Sequence, residues 1–391
     1  MKTELLLPAA DLEKTIIAFQ YGADACYGGT PAFSMRTREI GFNYSSLKKE
    51  ILYAHSLNKK FYVTINVFPN ENELLSLKNH IKKILNFKPD AIIAADLGDV
   101  SIVRNIDKKI EIHLSTQANA MNSESIKIYQ SLGIKRVILA RELSIQNIKN
   151  ISKNIPKNIE LECFIHGAMC MSISGRCHLS NYLTGRDANH GACTQVCRWN
   201  FAVTEEKRPN IYLPVEQDER YSYIFNAKDL CMAKHLQKLK GAGIKSFKIE
   251  GRNKSIYYVA TVAKSYRKLV DNLNNSNFQK IAQKEQKELE KITNRGYSTG
   301  FYLGKPSASD INYNTSRPSS DWRFVGIVTK ILSKNQYQVE VKNQIKKGDK
   351  IEIITPSDSY CITLDHIISL DGTSLNIANP NDQIIINHYK K

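Results

Sequence analysis

Between residues 4 and 252, short apolar runs alternate with longer stretches in which apolar residues recur every three or four positions. The runs fall at residues 4–10, 23–29, 60–68, 91–98, 111–119, 136–143, 159–167 and 245–252. Each has the length of a buried strand, and the stretches between them have the spacing of a helix with one apolar face, as in Leu12, Ile16, Ile17 and Phe19 or Leu47, Ile51 and Leu52. Strand followed by helix, eight times over, predicts a parallel sheet. The count and the span match an α/β fold of the (β/α)₈ TIM-like barrel type, with a doubly wound open sheet as the second reading.

In such a barrel the residues just past each strand meet on one rim, where the chemistry sits. The rim predicted here holds Arg36, Arg38, Asn66, Asp96, Gln117, Asn119, Arg141, Glu142, His166, Glu250 and Arg252. The regular pattern breaks after the seventh run, where an insertion of about residues 168–222 is predicted, and it resumes with a predicted helix over 229–241 that has Cys231 near its start. The barrel domain is expected over residues 1–275, a polar helical connector and linker over 276–319, and a small C-terminal all-β barrel domain over 320–391, where short alternating runs are separated by Asn, Gly, Lys and Pro.

Charge changes the picture only in part. Lys and Arg number 55 against 38 acids, a formal charge of +17, which favours polyanionic partners. Much of the excess is scattered, so surface solvation is an equal reading. No run approaches the roughly 18 apolar residues a membrane helix needs, and the N-terminal stretch lacks a signal-peptide core. A cytoplasmic location and no membrane partner are expected.

In a reducing compartment clustered cysteines point to a metal or to catalysis rather than to disulfides. Five of the eight cysteines fall between Cys163 and Cys197. Cys170 and Cys177 are separated by six residues, Cys193 follows after fifteen more and Cys197 after three, with Gly175, Gly185 and Gly191 interspersed. Structural zinc favours close cysteine pairs, and only Cys193 and Cys197 approach one. Iron-sulfur clusters accept wider spacings and stand first, ahead of zinc and of structural or redox thiols. Cys26 and Cys361 lie in strand-like runs and are expected in the core. A cysteine nucleophile paired with His166 or His190 is conceivable, although nothing singles out one thiol. The zinc-protease helix, the phosphate loop and the dinucleotide fingerprint are all missing from the sequence. Lys248, Glu250 and Arg252 alternate along one strand and can share a face, either as a site for an anion or as an internal ion network.

The segments FIHGAMCMSISGRCHLSNYLTGRDANHGACTQVCRW, FKIEGRNKSIYYVATV and RGYSTGFYLG resemble the collagenase-like peptidase family U32 over nearly the whole chain. That family includes iron-sulfur proteins of tRNA, ribosomal RNA and ubiquinone hydroxylation pathways, and the resemblance is strongest to the tRNA branch. It implies prephenate-dependent formation of 5-hydroxyuridine at the tRNA wobble position with a 4Fe-4S cluster. It implies tRNA and a small dicarboxylate donor, prephenate, as partners, and admits a partner subunit of the same family. Carried over by position, Cys170, Cys177 and Cys193 match the family motif. Cys197 completes Gly-Ala-Cys-x-x-x-Cys-Arg-Trp as the favoured fourth ligand, with Cys231 as the alternative. Lys248, Glu250 and Arg252 lie in the family's Lys-Ile-Glu-Gly-Arg stretch. From their charge we expect Arg252, helped by Lys248, to hold a donor carboxylate, and Glu250 to orient the arginine or take a proton. The alternatives left open are a peptidase of this family, a ribosomal RNA or ubiquinone-pathway hydroxylation protein, and a non-catalytic RNA-binding protein.

Overall fold

Strands buried on both faces have no polar side to show, and the strands here are accordingly near-continuous apolar runs rather than alternating ones. The structure, a computed structural model, describes residues 3–34, 43–170, 172–199, 203–205, 208–213, 227–310, 319–333 and 335–387. In the first part of the chain these are β1 (Glu4–Pro8), β2 (Ala25–Gly28), β3 (Lys60–Ile65), β4 (Ala91–Ala94), β5 (Glu111–Leu114), β6 (Arg136–Ile138) and β7 (Glu160–Gly167), an inserted hairpin β8 (Val203–Glu205) and β9 (Arg208–Leu213), then β10 (Asp229–Cys231) and β11 (Ile244–Ile249). β1 to β7 pair in order and in parallel, and β11 closes the ring by pairing in parallel with both β7 and β1. All eight predicted runs are therefore staves of a closed (β/α)₈ barrel.

The helices outside the ring begin where a side chain can satisfy the exposed N–H groups of the first turn. Asp11, Asn43, Asp96, Asn122, Ser144 and Ser255 cap α1 (Leu12–Gln20), α2 (Tyr44–Ser56), α4 (Leu97–Ile106), α5 (Ser123–Ser131), α6 (Ile145–Asn154) and α9 (Ile256–Asp271). The set is completed by α3 (Leu74–Leu85), α7 (Leu179–Thr184), α8 (Leu236–Gly241) and α10 (Phe278–Glu290). None of the helices described is long and apolar enough to cross a membrane.

Two segments differ from expectation. Residues 229–241 are not one helix: Leu230 and Cys231 pair antiparallel with Gly167 and His166 of β7, and α8 starts only at Leu236. Backbone pairing with β7 outweighs a weak local helix propensity. The polar stretch expected as an exposed connector contains α10, whose Phe278, Ala282 and Leu289 are buried in the barrel's core. Its apolar stripe is hidden among Gln, Lys and Glu, and Lys268 of α9 pairs with the buried Glu285 at 2.7 Å.

The chain forms two compact units, Met1–Ser319 and Ser320–Lys391. The second is all-β. Strands Gly326–Ser333, Gln336–Val341, Gln383–Asn387, Ile367–Ser369 and Ser374–Leu375 form one antiparallel sheet in that order, beside two short two-stranded pieces. Val341, Leu364, Ile367, Ala378 and Ile384 form its core. Cys361, expected in that core, is exposed, because side chains alternate along Ser359–Thr363 and its neighbour Ile362 takes the inward position.

At the N-terminal end of the barrel the interior is charged. Arg136 bonds Glu4, Glu160 (2.7 Å) and Glu162 (3.2 Å), and Glu4 also accepts from Tyr62 (2.7 Å) and Ser246 (2.9 Å). Glu162 is wholly buried and reaches Lys248 at 3.0 Å on its other side. Burial alone would raise its carboxyl, but Lys248 and Arg136 together hold it below the ordinary carboxylate value. Removing one partner of such a buried set strands the others. Arg136→Met is expected to cost about 3–5 kcal/mol, read as a lower urea midpoint at unchanged slope.

Candidate functional site

The rim at the C-terminal ends of the strands is built from the residues that follow β7 and β11. β7 exits through Gly167, whose φ of +108° suits glycine, and a Cβ there would lie 2.4 Å from the backbone oxygen of Glu250. Arg141 then ties the next residue down, donating from Nη1 to the Ala168 carbonyl at 2.8 Å. The chain turns back over the rim at Ser174, a buried residue with φ +51°. Ser174 N–H donates to Glu142 Oε1 at 2.7 Å and its hydroxyl donates to Asn119 Oδ1 at 2.8 Å. Arg176 Nε donates to the Gln117 carbonyl at 2.7 Å. Predicted rim residues from the ends of β5 and β6 thus dock the cysteine segment onto the barrel.

Within that segment the thiols are set by short local bonds. Cys177 N–H donates to Asn189 Oδ1 at 3.0 Å while Asn189 Nδ2 donates to the Cys177 carbonyl at 3.1 Å. Thr194 N–H donates to Ser180 Oγ at 3.1 Å, which places Cys193 beside α7. Left-handed turns at Gly185, Gly191 and Gln195 fold the segment back on itself.

The result is an open pocket lined by Cys170, Cys177, Cys193, Cys197, Lys248, Glu250 and Arg252 together with Tyr27, Thr64, Asn66, Ser115, Gln117, Arg141 and Phe164. Every cysteine and charged residue predicted for the site from the two motifs reaches this single cavity. Cys231 does not line it. It lies on β10 with its thiol 3.6 Å from the Tyr266 hydroxyl, and burial raises its pKa. Among the described residues no group of three His, Cys, Asp or Glu side chains converges on a single ion; the four thiols share the lining of one pocket.

The charged triplet is buried and divided. Lys248 Nζ bonds Glu162 and lies 4.0 Å from the centre of the Tyr27 ring, so it belongs to the internal ion network while also facing the pocket. Glu250 is 3.9 Å from Arg141 and 3.5 Å from the Tyr27 hydroxyl, which donates to the Ile249 carbonyl at 2.9 Å. Arg252 Nη1 donates to Ser34 Oγ at 2.9 Å and to Thr64 Oγ1 at 3.4 Å. Arg141 stacks 3.9 Å over Phe164, a geometry that suits a cation over a ring face.

Other predicted positions have different roles. Asp96 is an exposed-end helix cap. Arg36 and Arg38 lie outside the described residues. His166 is buried among the rings of Tyr258, Tyr266 and Tyr297 and does not line the pocket. His190 is engaged by Asp187 at 2.8 Å and faces Glu73 at 3.9 Å. Sequence reasoning missed Tyr27, Ser34 and Thr64, which sit in or beside apolar strand runs. Their signal would have been a hydroxyl at an inward strand position.

A closed ring of eight parallel strands with a pocket over its C-terminal rim is the architecture of a TIM-like barrel. The chain belongs to peptidase family U32: the family model matches residues 10–312, and the family's C-terminal domain model matches residues 320–390. It is similar to tRNA hydroxylation protein P of Escherichia coli, with 37% identity covering 97% of this chain and 92% of that protein. It is similar to tRNA hydroxylation protein P1 of Bacillus subtilis, with 35% identity covering 98% and 91%. A protein of Porphyromonas gingivalis named Collagenase is 30% identical over 98% of this chain and 94% of its own length.

The burial of His166 has a pH consequence. Burial lowers its pKa to about 3, so the unfolded chain takes up a proton near pH 6.5 that the folded chain refuses. Its contribution is complete above pH 6.5 and is lost as the pH falls from there toward 3. His166→Asn is expected to shallow the acid limb of a stability–pH curve measured by urea unfolding, on top of a pH-independent loss from the vacated ring contacts with Tyr258, Tyr266 and Tyr297.

Proposed function

We propose that this chain is a tRNA-modifying enzyme that hydroxylates the wobble uridine to 5-hydroxyuridine with prephenate as donor, using a 4Fe-4S cluster held by Cys170, Cys177, Cys193 and Cys197. The observation that carries this reading is the convergence of four thiols and the β11 charges on one rim pocket. The names of the Escherichia coli and Bacillus subtilis relatives, at near-full coverage, support tRNA hydroxylation as the pathway, and the +17 charge suits a tRNA substrate.

The donor set fits a cluster. A mononuclear zinc draws four sulfurs to within about 4 Å of one another at its bond length, whereas a cubane takes one thiolate at each iron and needs thiols spread around a cavity. When bound, the cluster supplies one-electron redox chemistry beside the pocket. The chain's own residues do the rest. Arg252, oriented by Ser34 and Thr64, and Arg141, stacked on Phe164, offer guanidinium forks suited to the carboxylates of a dianion. Glu250 lies between Arg141 and the Tyr27 hydroxyl, where it orients the arginine or accepts a proton. Lys248 contributes positive field from the pocket floor.

The peptidase reading, carried by the family label and the Collagenase name, finds less support. The two histidines that could serve a cysteine nucleophile are engaged by tyrosines and by acids.

Anaerobically purified protein is expected to carry about four iron and four sulfide per chain. Serine at Cys170, Cys177, Cys193 or Cys197 removes them, and Cys231→Ser keeps them. Stoichiometric zinc without iron would overturn the cluster, and iron loss in Cys231→Ser alone would reassign the fourth ligand.

Mass spectrometry of tRNA nucleosides is expected to show 5-hydroxyuridine lost in a deletion strain and restored by the wild-type gene. Arg252→Ala should keep its iron yet lower modification by about 100-fold or more at limiting donor, the scale of an unpaired buried charge. Wild-type levels in that variant would make Arg252 purely structural.

A further inference from the structure

Along one arc of the closed ring β6 and β7 separate β11 from β5, and past Thr64, where Arg252 ends at 3.4 Å, the pocket wall toward β5 is polar but uncharged. Asn66, just past β3, and Ser115 and Gln117, just past β5, line it. The carbonyl end of the Gln117 amide is committed: Asn66 Nδ2 donates to Oε1 at 2.6 Å and the Ser115 hydroxyl donates to the same oxygen at 3.4 Å. The backbone is committed too, because Gln117 N–H donates to Ser115 Oγ at 3.4 Å and the Gln117 carbonyl receives Arg176 from the cysteine segment. The other end of the amide is not. Nε2 is buried without a hydrogen-bond partner, in a side chain only 4% exposed. Buried polar groups in native proteins are nearly always satisfied, so an unsatisfied donor in a pocket wall marks the place of a ligand atom or an ordered water.

We propose that Gln117 Nε2 donates to a ring carbonyl of a pyrimidine base drawn out of an RNA loop into this pocket, making Gln117 a base-binding residue oriented by Asn66. The proposal rests on the RNA-hydroxylation reading above and adds the group that touches the base. The division of the pocket favours a base over the donor on this wall. A dianion is drawn to Arg252 and Arg141, while a neutral base edge presents carbonyl acceptors that an amide donor matches. Enzymes that act on a base take it out of its stack and read it by hydrogen bonds to its polar edge. Ser115 and Asn66 keep the amide from turning its oxygen toward the base, which would set acceptor against acceptor.

The test uses the full-length protein and two labelled anticodon stem-loop oligoribonucleotides, one with uridine at the wobble position and one abasic there. Wild type is expected to prefer the uridine stem-loop by about tenfold, the scale of one buried hydrogen bond whose donor is otherwise unsatisfied. Gln117→Glu, nearly the same shape with the donor replaced by an acceptor, and Gln117→Ala are both expected to bind the abasic stem-loop as wild type does and to lose the preference. A preference retained in both variants would overturn the proposal and leave a water as the amide's partner. A wild type that binds both stem-loops equally would overturn it as well. So would a rise in the prephenate concentration needed for half-maximal modification with base preference intact, since that places the amide at the donor. If wild type binds neither stem-loop, the RNA reading itself fails, and the proposal with it.

Discussion

The pairing of β11 with both β7 and β1 is the constraint on which the rest of the molecule depends. β11 is the last stave of the ring and the only one separated from its predecessor by a long excursion. Until it docks, Lys248 has no Glu162 to meet, and Glu250 and Arg252 have no pocket to face. The same closure fixes the exit of β7 against Glu250, where Gly167 leaves no space for a side chain. Thiols and charges come from segments more than fifty residues apart in the chain, and one strand pairing brings them to the same rim.

The interior of the ring is polarised along its axis. At the N-terminal end Arg136 is surrounded by Glu4, Glu160 and Glu162, while at the other end Arg141, Lys248 and Arg252 face the pocket. Glu162 joins the two halves by bonding Lys248 and Arg136 at once. Most of the acids are consumed low in the barrel, and at the rim pocket Arg141, Lys248 and Arg252 stand against Glu250 alone among the acids that line it.

How much of this was legible in the sequence follows from burial. Parallel staves hidden on both faces give continuous apolar runs, which is why all eight could be read directly. β10 is three residues long, and its strand character comes from β7 rather than from its own residues, so Cys231 appeared on a helix. α10 shows Phe278, Ile281, Ala282 and Leu289 among many polar residues, too thin a stripe to signal packing. Cys170, Cys177, Cys193 and Cys197 could be grouped by proximity in sequence. The split of the β11 charges could not, because Lys248 is claimed by Glu162 of a neighbouring strand and Glu250 faces Arg141. Tyr27, Ser34 and Thr64 were invisible for the opposite reason: hydroxyls within apolar runs look like ordinary strand residues until their inward direction is known.

The reciprocal bonds between Cys177 and Asn189, and between Ser180 and Thr194, shape the thiol segment with the protein's own hydrogen bonds. In small zinc domains the metal is the core, and its removal unfolds the chain. Here the segment is anchored on Asn119, Glu142 and Gln117 of a barrel whose apolar core stands apart from it. The ordering entropy of the thiol-bearing segment is thereby settled during folding. A group bound in that pocket would meet a scaffold that already keeps its form, so that loss of the group and loss of the fold would be separate events.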